Sequence, residues 1–280
     1  MSSENFSMIF GLSSAAIFGA ADFCGGCATK KNGVCTVIVL SQLFSLTLLA
    51  VLAPAIEGAI PSPEKMVYGG LAGFFGAIGL ACLYRGLAVG TMGVVAPLSS
   101  VIGAALPVIV GMATEGLPAA ATMAGMAIAL VSIWFLARPR KIDSLRTADL
   151  ALPVAAGLGF GFFFICIKQV SASSILWPLV AARIVSIAAL TAVLVCRKEG
   201  APPSRNQLGL IVLAGFLDTA GNVLFALATR FGRLDISTIL TSLYPASTIF
   251  LAWFILKERL SGGQWAGVAS ALIALVLIAS

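Results

Sequence analysis

The nine residues from Leu71 to Gly79, LAGFFGAIG, come back as LAGFLDTAG from Leu213 to Gly221, an offset of 142 residues. The same ungapped offset lays Glu57-Gly58-Ala59-x-Pro61-Ser62 on Glu199-Gly200-Ala201-x-Pro203-Ser204, Phe18-Gly19 on Phe160-Gly161, and Gly125 on Gly267. Apolar composition can make two segments look alike, but it does not hold Gly, Pro and Glu in register across half a chain. The sequence therefore reads as two copies of one unit, which rules out most folds at once.

The material of each copy is membrane material. Of the 280 residues, 60% are hydrophobic and 10% charged, and the mean hydropathy is +1.06, far outside soluble usage. Apolar runs of about 20 residues, the length that spans hydrocarbon as a helix, recur between short polar breaks. Ten spans are expected: Met8 to Ala28, Val34 to Ala55, Val67 to Ala88, Met92 to Ala113, Pro118 to Ala137, Leu150 to Val170, Ile175 to Cys196, Leu208 to Thr229, Ile236 to Leu256 and Gly263 to Ala279. The first follows Ser-Ser-Glu-Asn rather than a basic region, so it reads as a retained span and not a signal peptide. The copies then cover 1–137 and 150–280, with 138–149 as a linker.

Five spans per copy is an odd number, so consecutive copies enter the bilayer from opposite sides. The expected fold is all-α and polytopic, ten transmembrane helices in two inverted five-helix repeats around a central cavity. Basic residues agree with the inversion. Lys30, Lys31, Arg85, Arg138, Arg140, Lys141, Arg146, Arg197, Lys198, Arg205, Lys257 and Arg259 fall on one side, leaving Lys65, Lys168, Arg230 and Arg233 on the other. By the positive-inside rule the first side is cytoplasmic and both termini face outward. A net charge of +6 thus reports orientation rather than nucleic-acid binding.

Polar groups within the spans are few and informative, because an intramembrane charge is costly unless it faces protein or water. Asp22 in span 1 reads either as a structural or interfacial carboxylate or as a proton or substrate site. Arg183 and Asp218 lie near the middle of spans 7 and 8, and read either as an ion pair or as partners for a substrate's charged groups. Asn222 shares a helical face with Asp218, Phe225 and Thr229. Prolines inside helices free carbonyls and bend the axis. Span 4, with Pro97, Ser99, Ser100 and Pro107, and span 9, with Thr238, Thr241, Tyr244, Pro245 and Thr248, therefore read as bent cavity-lining helices. Gly69, Gly73, Gly76 and Gly79 read as a close helix seam. Asp235 reads as the N-terminal cap of span 9.

The candidate substrate-binding set is Arg183, Asp218, Asn222, Asp22, Thr241, Tyr244 and Ser100, with Asp22 and Asp218 as coupling carboxylates. No metal, cofactor or catalytic residue is expected. Cys24 and Cys27 form a helical CxxC without a partner pair, and there is no His for a proton relay. No GxxxxGK[ST] loop is present to use ATP directly. An intramembrane enzyme would need a clustered base, nucleophile or metal site. A monomer is expected, with an oligomer through Gly263 and Gly267 as the alternative.

Phe18-Gly19-Ala20-Ala21-Asp22-Phe23, Pro245, Lys257-Glu258-Arg259-Leu260 and Gln264-Trp265-Ala266-Gly267 make the chain similar to the drug/metabolite transporter superfamily, specifically its ten-helix EamA-type members. The first copy offers only Glu115-Gly116-Leu117 where the second has the Lys-Glu-Arg-Leu run. The resemblance implies a carrier of amino acids, other metabolites or drugs in a bacterial-type inner membrane. It also implies cytoplasmic termini, against the charge count. Four-helix multidrug relatives use a glutamate in their first helix, and Asp22 is the acidic residue of that span here. The expected function is secondary transport of a small organic metabolite or amino acid by alternating access, as a proton-coupled exporter, within membrane lipid. A drug or lipid carrier of the same fold is the alternative, ahead of a channel or enzyme.

Overall fold

Every apolar run is a helix in the computed structural model of the chain, which describes residues 3–89, 92–136, 147–197, 203–256 and 261–279. The helices are α1 (Ser3–Thr29), α2 (Val34–Ile56), α3 (Pro63–Val89), α4 (Met92–Glu115), α5 (Ala120–Leu136), α6 (Thr147–Ser171), α7 (Leu176–Arg197), α8 (Leu208–Phe231), α9 (Leu234–Thr241), α10 (Tyr244–Leu256) and α11 (Gly262–Ala279). A single 3-10 turn, Arg205–Gln207, precedes α8. Eight helical segments are long and apolar enough to cross a membrane, with α9 and α10 counted together, and α5 and α11 are shorter apolar helices. The protein is an all-α polytopic membrane protein, and among the described residues its helices are consistent with the ten expected runs, span 9 apart. Most of the linker, and the Lys-Glu-Arg-Leu run at 257–260, lie outside the described residues.

The polar and apolar residues are distributed for lipid. Val51, Ile109, Val131, Val195, Phe250 and Val276 are exposed, while Asp22, Gln42, Ser45, Arg183, Asn222 and Thr238 are buried. In hydrocarbon there is no gain in hiding leucine, so helices associate through close backbone packing and shared hydrogen bonds. The glycines supply the first. A Cβ on Gly69 would lie 2.5 Å from the Pro178 carbonyl oxygen, and one on Gly159 would lie 2.7 Å from that of Phe75. These contacts seat α3 against α7 and α6. Gly69→Ala, which leaves every cavity-lining side chain in place, is expected to cost about 1–3 kcal/mol by overpacking. Its check is a lower unfolding midpoint in detergent.

Two contacts are images of each other under the 142-residue shift. The Phe18 ring lies over Gly221, where a Cβ would meet Cδ1 at 2.8 Å, and the Phe160 ring lies over Gly79 at the same 2.8 Å. In the same way α1 packs along α8 and α3 along α6, while α5 packs along α11. Each copy thus uses its partner's helices as neighbours more than its own.

Span 9 departs from expectation. It is not one bent helix but two, interrupted at Ser242–Leu243. Pro245 has no N–H to give the carbonyl four residues earlier, at Thr241, and the chain turns instead through Ser242 N–H to Thr238 O at 2.8 Å and Leu243 N–H to Leu240 O at 3.2 Å. The opened Ser242 carbonyl accepts the Ser100 hydroxyl, its counterpart one repeat earlier. Span 4, by contrast, keeps Pro97 and Pro107 inside one continuous helix.

Candidate functional site

Around this break the helices enclose a cavity whose open space, mouth included, is about 710 Å³. Phe18 and Asp22 of α1, Gln42 of α2, Leu80 of α3 and Ser99 and Ser100 of α4 line it from the first copy. Phe160, Phe163 and Phe164 of α6, Arg183 and Ser186 of α7, Asp218 and Asn222 of α8, and Ser242 and Tyr244 line it from the second. Its walls are aromatic and its charged groups are one guanidinium and two carboxylates.

Arg183 and Asp218 meet, as one of the two sequence readings has it. Arg183 Nη2 lies 2.5 Å from Asp218 Oδ2, and its Nε donates to Ser45 Oγ at 2.9 Å. Ser45 in turn shares a hydrogen bond with the Thr219 hydroxyl. Asn222 Nδ2 donates to the Asp218 carbonyl at 2.7 Å and to its Oδ2 at 3.2 Å, so the helical spacing that places it below Asp218 also closes the cluster. The pair ties α7 to α8 and, through Ser45, to α2 of the other copy.

Asp22 differs. It is 8% exposed, lines the same cavity, and among the described residues its carboxylate has no hydrogen-bond or ion-pair partner. Tyr244 lines the cavity while its hydroxyl donates to Ala96 O at 3.2 Å, and Ser100 is engaged with Ser242. Thr241 is not brought to the cavity. It is fully buried against α1, with its hydroxyl 3.4 Å from the Gly11 carbonyl, and Thr248 likewise donates to Gly19 O at 3.1 Å. The threonine face of span 9 turns to α1 because glycine backbone there lets a hydroxyl reach a carbonyl. Phe225 and Thr229 continue the α8 face below Asn222 but pack on Phe164 and Ser171 instead.

Two polar lining residues are not among the sequence candidates, and Gln42, which with Ser41 and Ser45 reads from the sequence as satisfied by those two or by a neighbouring helix, is left with an unmatched oxygen instead. Gln42 and Ser186 are 3% and 2% exposed, and among the described residues Gln42 Oε1 and Ser186 Oγ have no hydrogen-bond partner. An orphaned buried polar atom costs about 1–3 kcal/mol. Nothing in the sequence distinguishes these two from satisfied neighbours such as Ser41.

At the end of the bundle that carries the N-terminus, a polar layer joins the two copies. The chain leaves α2 through Glu57-Gly58 and α4 through Glu115-Gly116, with Gly58 and Gly116 at φ +70° and +81°, the left-handed geometry that ends helices on glycine. Each glutamate then reaches across to the other copy. Glu57 accepts from Ser174 Oγ at 2.7 Å and from the N–H groups of Ile175 and Leu176 at 2.8 and 3.1 Å, at the positive start of α7. Glu115 accepts from Leu234 N–H at 2.9 Å, at the start of α9, and pairs with Lys168 at 3.0 Å. Lys168 also donates to Thr229 O and Gly232 O, and Arg233 to Glu115 O. Asp235 is therefore not the N-cap. Arg233 holds that position, and Asp235, within the first turn, accepts from the Ile236 N–H and pairs with Arg233 at 2.7 Å.

Partial burial opposes ionisation of Glu57, but the Ser174 hydroxyl and the N–H groups of Ile175, Leu176 and Trp177 outweigh it and hold the carboxyl below its usual value. A depressed folded value means the stabilisation is present above the unfolded value of about 4.3 and is lost as pH falls through the lower, folded one. Glu57→Gln is expected to cost about 1–3 kcal/mol at neutral pH and to flatten the acid limb of a stability-against-pH curve.

Among the described residues no group of three or more His, Cys, Asp or Glu could hold a metal ion, and none of the six cysteines is in a disulfide. Residues 147–280 match the model of the EamA-like transporter family. No curated protein sequence matches the chain significantly. A solved crystal structure, 14% identical, is similar over 97% of this chain and 95% of its own, with a TM-score of 0.75; at that identity the likeness concerns the fold.

Proposed function

We propose that the chain, whose residues 147–280 match the model of the EamA-like transporter family, is a membrane transporter of the drug/metabolite type that carries a small organic metabolite or amino acid by alternating access, as a proton-coupled exporter. The observation that carries this reading is the buried, unpartnered Asp22 carboxylate facing a cavity between the copies. A lone charge there is costly, so the site favours whatever neutralises it, a proton in one half-cycle and a substrate in the other. Competition for one carboxylate is the simplest way to couple the two fluxes.

Support for two inverted five-helix units, 1–137 and 150–280, comes from the exchanged contacts Phe18–Gly221 and Phe160–Gly79. Two similar units in opposite orientation can trade conformations, so that a state closed at one end has a near mirror closed at the other. In this reading the layer of Glu57, Glu115, Lys168 and Arg233 serves as the closed end. Its ion pair of Lys168 and Glu115 has both side chains 24% exposed, and a pair so placed is worth about 0–1 kcal/mol. A closure built from such contacts can open. The bias of the basic residues favours the other end as the cytoplasmic one in a bacterial-type inner membrane, with the termini outward, and in this reading the carrier works as a monomer without cofactor or catalytic step.

The test is a proteoliposome lumen loaded with a pH-sensitive dye and given amino acids, nucleosides, sugars and organic amines in turn. Proton flux elicited by one class, absent in empty liposomes, is the expected result. Movement of labelled lipid without response to any solute would replace the reading with a lipid carrier.

A further inference from the structure

We infer that the cavity is built for an organic ammonium ion bearing N–H donors and an apolar or aromatic body, with Asp22, Gln42 and Ser186 as its contacts. The inference rests on the transporter reading only for its purpose; the site itself follows from which cavity atoms remain unmatched.

The single cation of the lining, Arg183, is neutralised by Asp218 at 2.5 Å and also held by Ser45. A zwitterion or an anion entering the cavity would have to take that guanidinium away from a carboxylate already bonded to it, with Asn222 bonded to the same carboxylate oxygen. The hydroxyls of Ser99, Ser100 and Tyr244 are spent on the backbone carbonyls of Val95, Ser242 and Ala96. Among the described residues the Asp22 carboxylate has no partner, and neither do two fully buried lining oxygens, Gln42 Oε1 and Ser186 Oγ. A carboxylate and an amide oxygen only accept, and a hydroxyl accepts as well as donates. Their common complement is a cationic N–H group.

The rest of the lining suits the body attached to such a group. Phe18, Phe160, Phe163 and Phe164 with Leu80 form the apolar wall, and aromatic faces attract a cation beside them. Two of the three polar contacts, Asp22 and Gln42, come from the first copy and Ser186 from the second, so a bound ammonium bridges the units that have to move relative to each other. Gln42 and Ser186 stand on α2 and α7, which pack together.

The experiment measures binding of four probes with related bodies to the purified full chain by equilibrium dialysis: phenethylamine, phenyltrimethylammonium, L-phenylalanine and phenylacetate. Phenethylamine is expected to bind tightest and phenylacetate weakest. Gln42→Leu and Ser186→Ala are each expected to weaken phenethylamine roughly tenfold, the effect of one lost hydrogen bond to a charged group, and to leave phenyltrimethylammonium, which has no N–H, unchanged. Asp22→Asn should weaken both cations. Tighter binding of phenylacetate or L-phenylalanine, equal loss of both cations in the Gln42 and Ser186 variants, or no binding of any probe overturns the inference. If Gln42→Leu does not fold, Ser186→Ala decides alone. Proton flux driven by anions would leave the transporter standing and remove this site, whereas ammonium binding without any flux would do the reverse.

Discussion

Arg183→Met is expected to lower the unfolding free energy by about 3–5 kcal/mol, the cost of leaving a buried charge without its partner. The side chains of Arg183 and Asp218 are 7% and 19% exposed, so water can compensate Asp218 only in part, and the Ser45 hydroxyl loses its donor as well. Asp218→Asn alone is expected to destabilise in the same direction. The double variant Arg183→Met/Asp218→Asn should recover most of the loss, because a buried pair can often be replaced by uncharged groups at little cost. Equilibrium unfolding in mild detergent gives the cycle. Additive losses in the double variant would mean that the two groups act on stability independently, against the geometry.

Asp22→Asn should behave in the opposite way. Asp22 has no partner to lose, and removing an uncompensated carboxylate is expected to raise stability by about 1–3 kcal/mol, while proton-driven exchange in proteoliposomes falls to the level of empty liposomes. The contrast between two carboxylates in one cavity is the discriminating result. A destabilised Asp22→Asn with intact proton coupling would show Asp22 to be a structural group.

Much of the architecture could be read from residue order. The apolar runs locate the spans to within a few residues, since span length is dictated by hydrocarbon thickness, and the glycine seam of Gly69 to Gly79 packs as its spacing demands. The cavity cluster was legible in part. Arg183, Asp218 and Asn222 stand out because charge within a span is rare, and helical spacing puts Asn222 under Asp218. Gln42 and Ser186 did not stand out, because a hydroxyl or amide becomes informative only when its neighbours fail to satisfy it, and neighbours are set by packing. Thr241 shows the converse, a polar residue on a plausible face whose hydroxyl is taken up by glycine backbone on α1. The break at Ser242–Leu243 required knowing that Ser100 would meet the freed carbonyl. The cross-copy glutamates were hidden too, although the Glu-Gly pairs at 57–58 and 115–116 are a visible signal, each a helix end with an acid free to reach across.

The most direct test of alternating access is a distance measurement across the closed end. Spin labels at Leu117 and Ser173, both exposed, one on each copy, in a background with the native cysteines replaced, report the separation in lipid by pulsed electron resonance. Alternating access requires a short distance matching closure and a second, longer one whose share changes when protons or phenethylamine are added. A single distance, unaltered under every condition while exchange proceeds, would contradict it.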